Sequence, residues 1–76
     1  MNAKEMFEKL GYKQTDNLPT YIEYLKQGNT KITEITFDIE EKRIIKQDFN
    51  TGFAYYIKYD ELQAINKQVE ELGWYE

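Results

Sequence analysis

Residues 32–39 read Ile32-Thr33-Glu34-Ile35-Thr36-Phe37-Asp38-Ile39, and this alternation decides the fold. A period of two sends successive side chains to opposite faces of an extended chain. Ile35, Phe37 and Ile39 then share one face, and Glu34, Thr36 and Asp38 share the other. Such a strand needs neighbours to pair with and a second layer to cover its apolar side. Upstream, the Tyr- and Ile-rich stretch 20–27 reads as the preceding strand, with Gly28-Asn29 as the turn between them. Downstream, Glu40-Glu41-Lys42 makes a polar tip, and 43–48 returns as the third strand. Short links of this kind join antiparallel neighbours, so the three form a meander. Asn50-Thr51-Gly52 is a further turn. Residues 53–57 read either as a short fourth strand or as an extended lead into the last helix.

Further out, the period lengthens to 3.6. Ala3, Met6, Phe7 and Leu10 fall on one face of a helix over 2–10. Gly11 stands where a helix end favours a left-handed residue, which makes Tyr12 the residue that packs back on Phe7. At the other end Leu62, Ile65, Val69 and Leu72 mark an apolar stripe bordered by Ala64 and Asn66. Asp60 and Glu61 suit the positive end of that helix. Gly73 repeats the stop signal, with Trp74 folding back on Val69. Residues 15–19 read as a loop, in which Pro19 fixes entry into the sheet. The expected order is therefore α-β-β-β-α. It describes an α+β domain over 1–76, with a three-stranded or possible four-stranded antiparallel meander and two helices packed on one face.

The totals bound what such a domain can do. A chain of 76 residues makes one core, and chains this small often need reinforcement by a disulfide, a metal or a second subunit. Cysteine and histidine are both absent, so disulfides and the commonest metal ligands are excluded. Eight isoleucines, four phenylalanines, seven tyrosines and one tryptophan supply ample core material. A net charge of −4 disfavours nonspecific attachment to nucleic acid or anionic lipid. No apolar run approaches the roughly 20 residues of a membrane span. The expected location is cytoplasmic, since a chain without cysteine fits a reducing compartment.

Chemistry is limited in the same way. Without His, Cys or Ser there is no nucleophile of the Ser–His or Cys–His kind. The acids that remain, such as Glu40-Glu41 and Glu70-Glu71, fall on polar faces or in turns, where nothing shifts a carboxyl toward catalytic use. Asp38, Glu40 and Glu41 lack the ligand number a hard cation needs. Residues 48–52 depart from a calcium loop in the placement of glycine and in the missing terminal glutamate. Gly11, Gly28, Gly52 and Gly73 are isolated, so no phosphate cradle is expected. Neither a cofactor nor a catalytic residue is expected, and an enzyme would require a deep pocket holding buried ionisable groups with strongly shifted pKa values.

The element order resembles that of double-stranded RNA-binding domains. Here, however, Lys58-Tyr59-Asp60-Glu61 opens the last helix where those domains carry a lysine cluster. Nucleic acid is therefore an unexpected partner. Lys42, Arg43 and Lys46 form the densest basic group along the chain, with Glu40 and Glu41 beside it. The surface feature to follow is apolar. If Ile22, Tyr24, Ile35 and Phe37 face the helices, then Tyr21, Leu25 and Ile32 point away, together with one of Ile44 and Ile45. These residues form a candidate interaction surface.

The stretches Ile35-Thr36-Phe37-Asp38-Ile39 and 60–68, followed by Glu70-Glu71-Leu72-Gly73-Trp74, resemble short proteins of phages, prophages and mobile elements of Gram-positive bacteria. That resemblance implies a setting and no activity. The expected role is a non-enzymatic interaction protein with a protein partner or a second copy of itself. The runner-up is an acidic mimic of DNA that blocks a host nucleic-acid enzyme.

Overall fold

The decisive alternation is the strand β3 (Ile32–Asp38) at the heart of an antiparallel sheet, flanked by β2 (Tyr21–Gln27) and β4 (Arg43–Phe49). The computed structural model describes residues 1–49 and 56–75. A fourth strand, β1 (Lys13–Asn17), completes the sheet on the far side of β2, giving the order β1-β2-β3-β4. Helix α1 (Ala3–Lys9) precedes the sheet and α2 (Tyr59–Glu71) follows it. Among the described residues the fold is α+β, a four-stranded meander with both helices contributing to the core on one face.

The fourth strand among the described residues precedes β2. Of the stretch 53–57, residues 53–55 lie outside the described residues, as do residues 50–52 where a turn was expected, and Tyr56 and Ile57 have no regular structure. Instead the expected loop 15–19 overlaps a strand. Lys-Gln-Thr-Asp-Asn carries no apolar alternation because it is an edge strand. It pairs with β2 from Lys13↔Leu25 to Asn17↔Ile22, with a bulge between Gln14 and Asp16. Thr15 is the extra residue, and its hydroxyl donates to Glu23 Oε1 at 3.0 Å. A bulge and polar side chains are common means of keeping an edge from pairing with another sheet.

Both helix ends follow from the sequence. Asn2 accepts from the Glu5 N–H at 2.8 Å while Glu5 accepts from the Asn2 N–H at 3.0 Å, a reciprocal cap that satisfies two orphan donors. At the C-terminus Gly11 adopts φ 94°. There the Gly11 N–H donates to Glu8 and the Tyr12 N–H to Phe7, which is the Schellman arrangement. Gly73 does the same with Glu70, and Trp74 with Val69. A helix of seven residues has little stability alone. Packing holds it: Phe7 stacks on Tyr24 with centroids 4.0 Å apart, and Tyr12 meets its edge at 5.5 Å. Each buried aromatic contributes roughly 1.5–3 kcal/mol, and each well-placed pair about 0.5–1.5 kcal/mol more.

The second helix lies differently from its apolar stripe. Ile65 is buried and Val69 and Leu72 pack against the core, but Leu62 is 42 % exposed. The buried set is Glu61, Ala64, Ile65 and Gln68. Two tyrosine hydroxyls account for this rotation. Tyr12 donates to Glu61 Oε2 at 2.5 Å and Tyr24 donates to Gln68 Oε1 at 2.6 Å. Buried polar groups are tolerated when they are bonded in this way.

Candidate functional site

Strand register places the candidate surface residues. Ile22, Tyr24, Ile35 and Phe37 face the helices, so Tyr21, Leu25 and Ile32 lie on the outer face. Ile45 is opposite Thr36 and shares that outer face, whereas Ile44 is opposite Phe37 and belongs to the helix side, 39 % exposed. The apolar residues do not form one patch. Ile32 stands beside Phe49, with Leu25 next to them, and Tyr21 and Ile45 lie toward the other end. Glu23, Glu34 and Thr36 occupy the ground between.

The centre of this outer face is acidic. A shallow hollow of about 400 Å³ is lined by Tyr21, Glu23, Glu34, Thr36, Asp38 and Ile45, among others. Partial burial, reinforced by the nearby Glu23 charge, raises the Glu34 carboxyl above its ordinary value. Asp38 behaves oppositely: the hydrogen bond from Arg43 at 2.8 Å, then the Glu41 N–H, hold it below the usual carboxylate range. Tyr21 donates to Asp16 at 3.2 Å, and the Asp16 charge raises its phenol. Lys13 and Arg43 are the bases that this face presents, one on each edge strand.

A second feature lies on the helix side, where the inner face of β4 turns polar. Lys46 and Asp48 take the inward positions opposite Ile35 and Thr33. With the start of α2, Lys46 bounds a cleft of about 120 Å³, whose lining includes Tyr12, Lys26, Lys31, Tyr56, Lys58 and Glu61. Glu61 is 7 % exposed and accepts from three directions. Its donors are the Tyr12 hydroxyl, the Lys58 N–H at 3.0 Å and the Lys46 ammonium at 3.5 Å. Lys46 also donates to the Tyr56 carbonyl. The ammonium of Lys26 sits 5.6 Å from the Tyr12 ring centroid and that of Lys31 5.5 Å from Tyr56. Four of the chain's ten bases meet here, from β2, the following turn, β4 and the N-cap of α2.

The direction of each pKa shift shows what this cluster can do. Burial alone would raise Glu61, but the hydrogen bonds from Tyr12 and Lys58 and the Lys46 charge outweigh it, so its carboxyl titrates below the ordinary value. Burial, then the bond to Glu61, drive the Tyr12 phenol far up. A general base works best with a pKa near the operating pH. Both members of this pair move away from neutrality, one down and one up. The pair is suited to holding structure and fixed charge, and poorly suited to moving protons at pH 7.

The sequence missed this cleft. Its densest linear basic group, Lys42-Arg43-Lys46, is split by the fold: Arg43 pairs with Asp38 on the outer face, while Lys46 points inward. The available signal was Lys26, which continues the inward alternation Ile22-Tyr24 with a charged residue. Among the described residues no group of three or more acids is placed to hold a metal ion, and no helix is long and apolar enough to cross a membrane. No protein-family model, curated protein or solved structure matches the chain.

Proposed function

We propose that the chain is a non-enzymatic interaction protein, of the phage or prophage kind that its sequence resembles. Its outer sheet face takes a protein surface bearing basic side chains between apolar ones. The observation that carries this reading is the acidic centre at Glu23 and Glu34, left uncovered among the described residues between Tyr21 and Ile45 on one side and Leu25 and Ile32 on the other. Interfaces of this kind gain specificity and encounter rate from complementary charge, and affinity from apolar anchors. A second copy meets the same face poorly, because face-to-face pairing sets Glu23 and Glu34 near their own equivalents. Light scattering on the wild type and on Tyr21→Glu reads out that self-association.

The DNA-mimic reading draws on the same face. Asp16, Glu23, Glu34 and Asp38 lie on it together, with Lys13 and Arg43 on the edge strands. Its partner is also a basic protein surface, one that ordinarily holds nucleic acid. One experiment serves both. Proteins captured from a Gram-positive host by the wild type are compared with those captured by Glu23→Lys/Glu34→Lys, with circular dichroism confirming the fold. Specific capture lost in the variant supports the acidic face, and competition by duplex DNA favours the mimic. Identical capture by both chains refutes the proposal.

A further inference from the structure

Independently of the sheet face, we propose that the cleft between β4 and the start of α2 binds a small oxyanion, a phosphate or diphosphate group, through Lys26, Lys31 and Lys58 beside Lys46. The argument starts from charge. Four lysines line a half-enclosed space in a chain whose net charge is −4. Like charges gathered in this way repel one another, and among the described lining residues Glu61 is the single carboxylate set against them.

The local carboxylates are already engaged. Glu61 serves Tyr12, the Lys58 N–H and Lys46. Asp48 accepts from the Thr33 hydroxyl at 2.8 Å. Among the described residues Lys26 and Lys31 form no ion pair and rest over the Tyr12 and Tyr56 rings. Those rings and the Lys46–Glu61 pair hold the neighbouring groups in place, and among the described residues Lys26, Lys31 and Lys58 form no ion pair. An oxyanion offers several acceptor oxygens to such donors, and lysine is a common phosphate ligand.

Size sets the ligand class. The space is about 120 Å³. It falls well below the roughly 300–1,000 Å³ of pockets that enclose drug-sized ligands. One phosphoryl or diphosphoryl group fits, and a larger molecule would enter only by its phosphate end.

Amide shifts of the isotope-labelled protein test this directly. Inorganic phosphate, pyrophosphate and ADP are titrated separately, against sodium chloride at matched ionic strength. The expected result is saturable movement of the Lys26, Lys31, Thr33 and Lys58 amides with at least one of the three. The strongest responder tells a free oxyanion from one carried on a nucleotide. Lys26→Gln/Lys31→Gln should weaken it at least tenfold, the factor expected from losing about one charge-assisted hydrogen bond. Lys4→Gln/Lys9→Gln, which makes the same charge change on the exposed surface of α1, should leave it unaltered. Movement that fails to saturate, that chloride reproduces, or that survives in the Lys26/Lys31 variant overturns the proposal.

Discussion

Replacing Tyr12 by Phe removes one hydroxyl and, with it, the shortest bond to Glu61. A hydrogen bond to a charged group contributes roughly 1.5–3 kcal/mol net, and here the acceptor is a buried carboxylate. We expect a loss of about 2 kcal/mol at pH 7. At roughly 0.05–0.15 kcal/mol per residue, a chain of 76 residues has about 4–11 kcal/mol in all, so the loss is a large fraction. It corresponds to a Tm lower by roughly 8–16 °C. The outcome is cooperative unfolding at a reduced temperature, with the sheet intact below it.

The pH dependence makes this prediction specific. Glu61 has a folded pKa below its unfolded value. Its contribution is complete above the unfolded value of about 4.3 and is lost as pH falls through the folded pKa. Tyr12 has a folded pKa above its unfolded value of about 10. Its contribution is complete below about 10 and is lost as pH rises through the folded pKa. The difference between wild type and Tyr12→Phe is therefore greatest between those limits and shrinks at pH 3. Tyr24→Phe is the comparator, because Tyr24 donates to the neutral amide of Gln68. It should cost about 0.5–1.5 kcal/mol equally at pH 3 and pH 7. Thermal unfolding of the three proteins at both pH values is sufficient. Equal Tm losses for Tyr12→Phe at pH 3 and pH 7 would falsify the assignment of Glu61 as an ionised acceptor.

Further outcomes follow from the same structure. Gly11→Ala and Gly73→Ala both place a side chain at positive φ, at a cost of about 1–2 kcal/mol each. Gly11→Ala should cost more in urea denaturation, since its Cβ would lie 3.3 Å from Lys26 while Gly73 has open space. Glu34→Gln should stabilise the protein at neutral pH. A raised folded pKa penalises the ionised form as pH climbs through it, so the gain is present at pH 7 and absent at pH 3. Its size should be about 0.2–1 kcal/mol, the scale of cross-strand charge effects; a loss at pH 7 would contradict the raised Glu34 carboxyl.

How much of this was legible depends on whether the signal was local. β3 was readable because it alternates over its own length, β2 and β4 because a Tyr- and Ile-rich run and a return after a polar tip flank it, and both helix ends because Gly11 and Gly73 act within a few residues. β1 was hidden because Lys13-Gln14-Thr15-Asp16-Asn17 contains no apolar side chain, and its pairing comes from backbone bonds to β2 across a bulge. The rotation of α2 was hidden because Glu61 and Gln68 answer to hydroxyls 49 and 44 residues away. The lysine cleft was hidden for the same reason. Lys26 hints at it by continuing the inward alternation of Ile22 and Tyr24, but Lys46 looks like an ordinary surface residue until strand register brings it to the covered side. Of the surface candidates, the pair Ile44-Ile45 illustrates the limit: alternation guaranteed one on each face, and only the register with β3 settled which.

The Tyr12–Glu61–Lys46 cluster raises a question of economy that the fold alone does not answer. Replacing a buried ion pair by apolar groups of similar volume is often neutral or stabilising by about 1–4 kcal/mol, whereas removing one partner is strongly destabilising. Lys46 and Glu61 have side chains only 13 % and 10 % exposed, so this comparison applies to them. Combined replacement by Tyr12→Phe, Lys46→Met and Glu61→Leu should therefore give a protein at least as stable as wild type. Glu61→Leu alone should unfold more easily, because it strands the Lys46 ammonium and the Tyr12 hydroxyl. The triple variant should also lose the response to phosphate, since its cleft has given up one ammonium and the pair that positions the rest. Stability kept while the response disappears would mean the polar set serves a ligand. If the triple variant is instead as unstable as Glu61→Leu, the cluster is a structural requirement of this end of the core, and the charge it gathers needs no ligand to explain it.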